Sequence, residues 1–296
     1  MQTHTSPGLK LTLVQRYTPI PCETEDIPTI DAIVISHSHY DHLSHPTITK
    51  LAKTHPNAHF FVPLGLRKWF NSSGITAVTE LDWWDECNLH LTPAASKEST
   101  GKTSSSASST VTSTSATGPS HASITATISC LPAQHMSART PFDKAHTLWA
   151  SWSITDTLSG KRVWFGGDTG YRTIPPPVAR ETTEYWSDTI QSLPHCPAFA
   201  DIGKHRGPFD LGLIPIGAYD PREIMSPMHA SPYDSVEIFR DTKCKQAMGI
   251  HWGTWVLTEE EVMEPPVLLR EALKARNMPE TGVFDVCDIG ESREFD

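Results

Sequence analysis

No apolar run in this 296-residue chain approaches the ~20 residues that a membrane-spanning helix requires. The opening MQTHTSPGLKLTLVQRY also lacks the basic flank and long apolar core of a secretory signal. A soluble cytoplasmic protein is expected, peripheral at most on an intracellular membrane. Positive charge is scarce: 24 Lys and Arg against 34 Asp and Glu leave a net charge of −10. That balance disfavours a surface that tracks phosphate backbones, so no nucleic-acid partner is expected. The six cysteines are scattered with no CxxC pair, which excludes a zinc knuckle and argues against a disulfide framework. No fixed-period repeat is present, so a solenoid is excluded.

What is present is an alternation of strand-like and helix-like stretches. IDAIVI (30–35) is a short β-branched run that reads as a buried strand. Ser44 and Pro46 then open a helix through TITKLAKTH, and HFFVP, LRKWF and ITAVTEL continue as strand, helix and strand. ITATISCLP, TLWASWSIT, KRVWFGGD, FDLGLIPIGAY and QAMGIHW read as further strands. SPYDSVEIFRDT reads as a helix capped by Ser231, and EEEVMEPPVLLREALKARN as a helix broken by its proline pair, before a last short strand around VFDVCDI. The pattern predicts one domain over 1–296, interrupted by a disordered Ser/Thr-rich insertion at about 95–123 and a second, irregular surface insertion at about 172–195. GKTS at 101–104 is no phosphate loop, because residue 96 is Ser where that loop needs Gly. Trp83, Trp84, Trp149, Trp152 and Trp164 lie in apolar runs and are expected in the core.

The stretch SHSHYDHLSHP (36–46) sets His37, His39, Asp41 and His42 directly after the first strand. Packing gives no reason to crowd these polar groups there. If the segment stays extended, His37, His39 and Asp41 share one face and His42 swings in at the turn. Imidazole and carboxylate donors suit Zn²⁺, and so many ligands on one short loop suggest two ions. His135, Asp168 and His251 follow other apolar runs and can complete the set, with His37, His39 and His135 on one ion, Asp41, His42 and His251 on the other, and Asp168 bridging. His4, His45, His55, His59, His90, His121, His146, His195 and His205 have no such context and read as ordinary residues.

HxHxDH followed by a distant His, an Asp in a GDT context and a last His resembles the metallo-β-lactamase superfamily. That resemblance implies an α+β fold, an αββα sandwich with two Zn²⁺ at the strand ends. IDAIVISHSHYDHL, LPAQHMSAR, VWFGGDTGY, CPAFADIGKHRGPFDLGLIPIGAYDPR and MGIHWGTWVLTEE resemble, more narrowly, the N-acylphosphatidylethanolamine-hydrolysing phospholipase D family. The narrower resemblance implies a zinc phosphodiesterase with a phospholipid substrate, peripheral membrane contact and a homodimer. It carries Asp41 and His229 as the catalytic candidates, His229 matching a family histidine near the substrate phosphate. Two zinc ions would lower the pKa of bound water from 15.7 to about 7 and neutralise phosphodiester oxygens.

The family's WxGHAT-like strand and DPIF-like turn have no counterpart before residue 9, so the first sheet is expected to be incomplete and the chain N-terminally truncated. Two alternatives follow. One is another hydrolase of the same superfamily, such as a lactonase or a small phosphoester hydrolase; the other is a non-catalytic remnant.

Overall fold

The structure, a computed structural model, describes residues 16–92 and 123–295. The Ser/Thr-rich insertion expected at 95–123 lies, apart from Ser123, outside the described residues. Ten strands and eight α-helices alternate along these residues. β1 (Ala32–Val34), β2 (His59–Pro63) and β3 (Val78–Leu81) are separated by α1 (His45–Thr54) and α2 (Arg67–Ser72). β4 (Glu86–Leu91), β5 (Ile124–Leu131), β6 (Ser151–Asp156) and β7 (Arg162–Phe165) form a meander. Then come α3 (Pro176–Glu181), α4 (Asp188–Gln191), α5 (Ala198–His205), β8 (Phe209–Pro215), α6 (Arg222–Met225), α7 (Pro232–Asp241), β9 (Cys244–Ile250), α8 (Glu264–Ala275) and β10 (Phe284–Asp285).

Two sheets result, a parallel one of three strands ordered β1-β2-β3 and a mixed one of seven ordered β10-β9-β8-β7-β6-β5-β4. Alternation along the strands sends side chains to two faces, and each face finds a different partner. Phe60 and Val62 of β2 join Ile48 and Phe70 in a core under α1 and α2. Phe61 between them points the other way, into a core with Ile128, Cys130 and Trp152 of the second sheet. On the far face of that sheet, Trp164, Phe209 and Ile214 pack with Phe199, Val236, Ile238 and Leu273 of α5, α7 and α8. The four layers are helix, sheet, sheet, helix, the αββα sandwich expected.

Several local expectations are corrected. Pro265 and Pro266 start α8 rather than break it, because a proline in the first turn of a helix forfeits no intrahelical hydrogen bond. The 172–195 stretch is not irregular throughout: it stays largely at the surface but forms α3 and α4 and buries Ile174, Tyr185 and Ile190 in a small core of its own. Trp84 sits at φ 73° and 38 % exposed, since the turn between β3 and β4 rotates it out of the core. Trp152 and Trp164 are fully buried. The charged, alternating strand β4 and the helix α5 carry no strong apolar run and escape a reading by hydrophobic pattern.

Candidate metal centre

β5, β7, β8 and β9 run in one direction, so their carboxyl ends open on one edge, where loops can meet. His135 follows β5, Asp168 follows β7, and His251 follows β9 directly. His229 lies between α6 and α7, and the loop after β1 brings His37, His39, Asp41 and His42 from the other sheet. That loop is not extended throughout. The backbone N–H groups of His42 and Leu43 both donate to the His39 carbonyl, at 3.1 and 2.8 Å, and this turn parts Asp41 and His42 from His37 and His39.

Two ligand groups follow. His37, His39, His135 and Asp168 form one, Asp41, His42, His251 and Asp168 the other, so Asp168 is common to both. In the first, His37 Nε2 lies 2.8 Å from His39 Nδ1, and His135 Nε2 lies 3.2 Å from each. In the second, His42 Nε2 lies 3.1 Å from Asp41 Oδ2 and 3.0 Å from Asp168 Oδ2, with His251 Nε2 3.2 Å from Asp168 Oδ1. The grouping is the one expected from the sequence.

Three ring nitrogens in a triangle cannot all be joined by well-aligned hydrogen bonds, whereas a central cation takes all three lone pairs. A tetrahedral ion with ~2.0–2.1 Å bonds sets its ligands ~3.3 Å apart, close to these separations. His42 Nε2 and Asp168 Oδ1 are buried without hydrogen-bonding geometry to any partner. The residues fit divalent cations, of the kinds that imidazole and carboxylate bind.

Charge divides the same way. Burial holds His37 well below the ordinary histidine range, lowers His39, and pushes His135 down to about 4 and His229 down to about 3. Burial also opposes a charge on His42, but the Asp168 and Asp41 carboxylates outweigh it and raise that ring to about 10. His251 is raised as well, burial again being outweighed by the charge of Asp168 and the hydrogen bond to Asp41. Burial favours protonation of Asp41 and Asp168, yet the facing histidines hold both carboxyls below the usual range.

Supporting contacts lock the loops. His135 Nδ1 donates to the Met228 carbonyl at 2.9 Å, fixing its tautomer. Thr169 Oγ1 accepts from the Gln134 amide at 2.8 Å, and the Gly170 amide donates to the Gln134 carbonyl at 2.7 Å, lacing the His135 loop to the Asp168 loop. Arg139 Nη1 donates to the carbonyls of Ser38 and Leu43 at 2.8 and 2.9 Å, while its guanidinium lies 4.2 Å from the Tyr40 ring centroid. Gly167 stands at φ 60°, and a Cβ there would come within 2.7 Å of Ser36 Cβ. His251 adopts φ 61°, a strained conformation for a residue with a side chain. None of Ser36, Gln134, Arg139 or Gly167 stands out in the sequence; the glycine pair before Asp168 is the signal it offers.

His229 stacks on His251 with ring centroids 5.6 Å apart and meets His135 edge-on at 5.1 Å. Its Nδ1 is buried without a partner. A cleft of ≈ 140 Å³ is lined by Asp41, His42 and His251 together with Trp255, Leu257 and Pro265.

This chain belongs to the family described as the beta-lactamase superfamily domain, whose model matches residues 3–252. Among curated proteins it is 34% identical over 283 residues to N-acyl-phosphatidylethanolamine-hydrolyzing phospholipase D 1 of Caenorhabditis elegans, covering 94% of this chain and 64% of that protein. It is 27% identical over 289 residues to the mitochondrial N-acyl-phosphatidylethanolamine-hydrolyzing phospholipase D of Saccharomyces cerevisiae, covering 95% of this chain and 48% of that protein. The chain thus spans roughly half to two thirds of the length of these relatives. Among solved structures, CmlA, a diiron β-hydroxylase from Streptomyces venezuelae, shares the fold at TM-score 0.52 and 16% identity, over 90% of this chain and 45% of that one.

Proposed function

We propose that this chain is a dinuclear zinc phosphodiesterase of the phospholipase D type, hydrolysing N-acylphosphatidylethanolamine to N-acylethanolamine and phosphatidate. The observation that carries the reading is the pair of ligand groups joined through Asp168, in a chain whose similarity to proteins named for that activity extends over 94% and 95% of its length. His37, His39, His135 and Asp168 would hold one zinc, and Asp41, His42, His251 and Asp168 the other. When bound, the ions supply a lowered pKa for water and offset the charge on phosphate oxygens.

In the hydrolysis, the oxygen of water bonds to phosphorus, the bond from phosphorus to the ethanolamine oxygen breaks, and that oxygen takes up a water proton. Asp41, ionised and partly exposed beside the cleft, orients water by accepting its hydrogen bond. His229 is neutral, so it assists by donating a hydrogen bond to a phosphate or leaving oxygen rather than by delivering a proton. Val256 and Leu257, lining the cleft and 55% and 45% exposed, give it an apolar lip suited to a phospholipid presented at a membrane surface. The same reading carries peripheral contact with an intracellular membrane and a homodimer.

The test is product analysis by mass spectrometry with the zinc-loaded chain in ¹⁸O-labelled water. N-acylphosphatidylethanolamine should yield N-acylethanolamine, with the label in phosphatidate. Turnover confined to lactones or soluble phosphoesters would replace the proposed substrate.

A further inference from the structure

We infer that Ser36 is a positioning residue shared by both ion positions: one hydroxyl, accepting from Nδ1 of His37 and of His42, holds an N–H on Nδ1 of both rings and aims their Nε2 at the ions. The inference rests on the two-ion reading above. Ser36 is 3% exposed, and its Oγ lies 3.0 Å from His37 Nδ1 and 3.4 Å from His42 Nδ1. The two rings belong to different ligand groups, yet both present Nε2 to the same oxygen of Asp168, at 3.8 and 3.0 Å.

Tautomer chemistry makes the sharing consequential. A neutral imidazole has one N–H and one lone pair, so a ring that ligates through Nε2 must carry its hydrogen on Nδ1. A hydroxyl oxygen has two lone pairs and can accept both hydrogens at once. The other ligand rings do not use it: His135 Nδ1 reaches the Met228 carbonyl, His39 faces its group through Nδ1 itself, and His251 Nδ1 has no partner. His37 and His42 therefore depend on one atom of one side chain.

The hydroxyl is also held in place. The Ala150 amide donates to the Ser36 carbonyl at 2.8 Å, and the Trp152 indole donates to the preceding Ile35 carbonyl at 2.9 Å. From the other side Gly167 closes in, since a Cβ on it would lie 3.3 Å from Ser36 Oγ. Nothing but χ1 is left to Ser36. Removing its oxygen would strand two buried N–H donors, one in each ligand group, so a single substitution reaches both ions.

The experiment is competitive zinc titration of the metal-free chain against a chromophoric chelator, with native mass spectrometry counting ions, on wild type, Ser36→Ala and Ser36→Thr. The expected result is that Ser36→Ala, folded by circular dichroism, binds both ions roughly 10–100-fold more weakly, and that Ser36→Thr restores both. Unchanged affinities in Ser36→Ala, or a loss confined to one ion, would overturn the shared role. If Ser36→Ala does not fold, Ser36→Cys, whose sulfur is a weak acceptor, is read by the same criterion. Wild type binding no second ion would sink the two-ion reading itself, which is a different outcome from wild type holding two ions that Ser36→Ala leaves undisturbed.

Discussion

The two ligand groups share Asp168 but meet an incoming cation in opposite states. The group of His37, His39 and His135 is made of rings that burial keeps neutral, their lone pairs already gathered within 3.2 Å. The group of Asp41, His42 and His251 holds itself together through its carboxylates, with the proton on His42 standing where a cation would sit and His251 shifted in the same direction by Asp168 and Asp41. Desolvation governs the first and Coulomb attraction the second. A buried set of neutral donors is costly until a cation arrives, whereas an ion-paired set is stable alone and must give up protons to bind.

Asp168→Asn removes the one feature the groups have in common and should do the most damage. Turnover should fall on the order of 10³-fold or more, the consequence of losing several kcal/mol of charge stabilisation. Native mass spectrometry should find fewer than two zinc ions per chain. Full activity with two ions would show that the groups do not depend on a shared carboxylate.

Acid should separate the groups next. The folded-state pKa of His135, about 4, and of His229, about 3, lie below the unfolded value near 6.5. Depressed values mean stability that is present above pH 6.5 and is lost as the pH falls toward 4, on the order of a few kcal/mol. His42 works the other way: raised to about 10, its contribution is full below pH 6.5 and lost as the pH rises toward 10. In the metal-free chain the urea midpoint should drop between pH 7 and 5. A midpoint that rises on acidification would mean that the first group is not held neutral by burial.

The smallest effect is a proton count. Zinc entering the first group at pH 7 should release no proton, and zinc entering the second should release at least one, from His42. Calorimetry in two buffers of different ionisation enthalpy reads this directly; equal heats for the second ion would erase the contrast.

Much of this site is legible in the sequence because ligands are expensive. His37, His39, Asp41 and His42 crowd the end of a buried strand, where packing alone would put nothing polar. His135, Asp168 and His251, each a single residue after a strand, gain their place in the site from the family resemblance. What holds the ligands is not legible there. Ser36 and Gln134 are common residue types, and their roles arise from contacts with residues 37, 42 and 169 that the packed loops create. The layers of the fold follow from the family resemblance, and strand β2 shows what holds them: Phe60 and Val62 face one core and Phe61 the other. The packing of 172–195 cannot be read from the sequence, because Tyr185 gains its burial from Tyr233, 48 positions away, with ring centroids 5.1 Å apart. Proline misled at α8 because its effect depends on where in the helix it falls.

Arg139 reaches the ligand loop through carbonyl oxygens, at Ser38 and Leu43. Every amino acid offers that same oxygen, so these two bonds follow the path of the main chain whatever side chains residues 38 and 43 carry. The side chains still count in their own way: Ser38 is buried, which limits size there, and Tyr40, 51% exposed, lends its ring to the same guanidinium, so one arginine ties the loop down through its backbone and through an aromatic face.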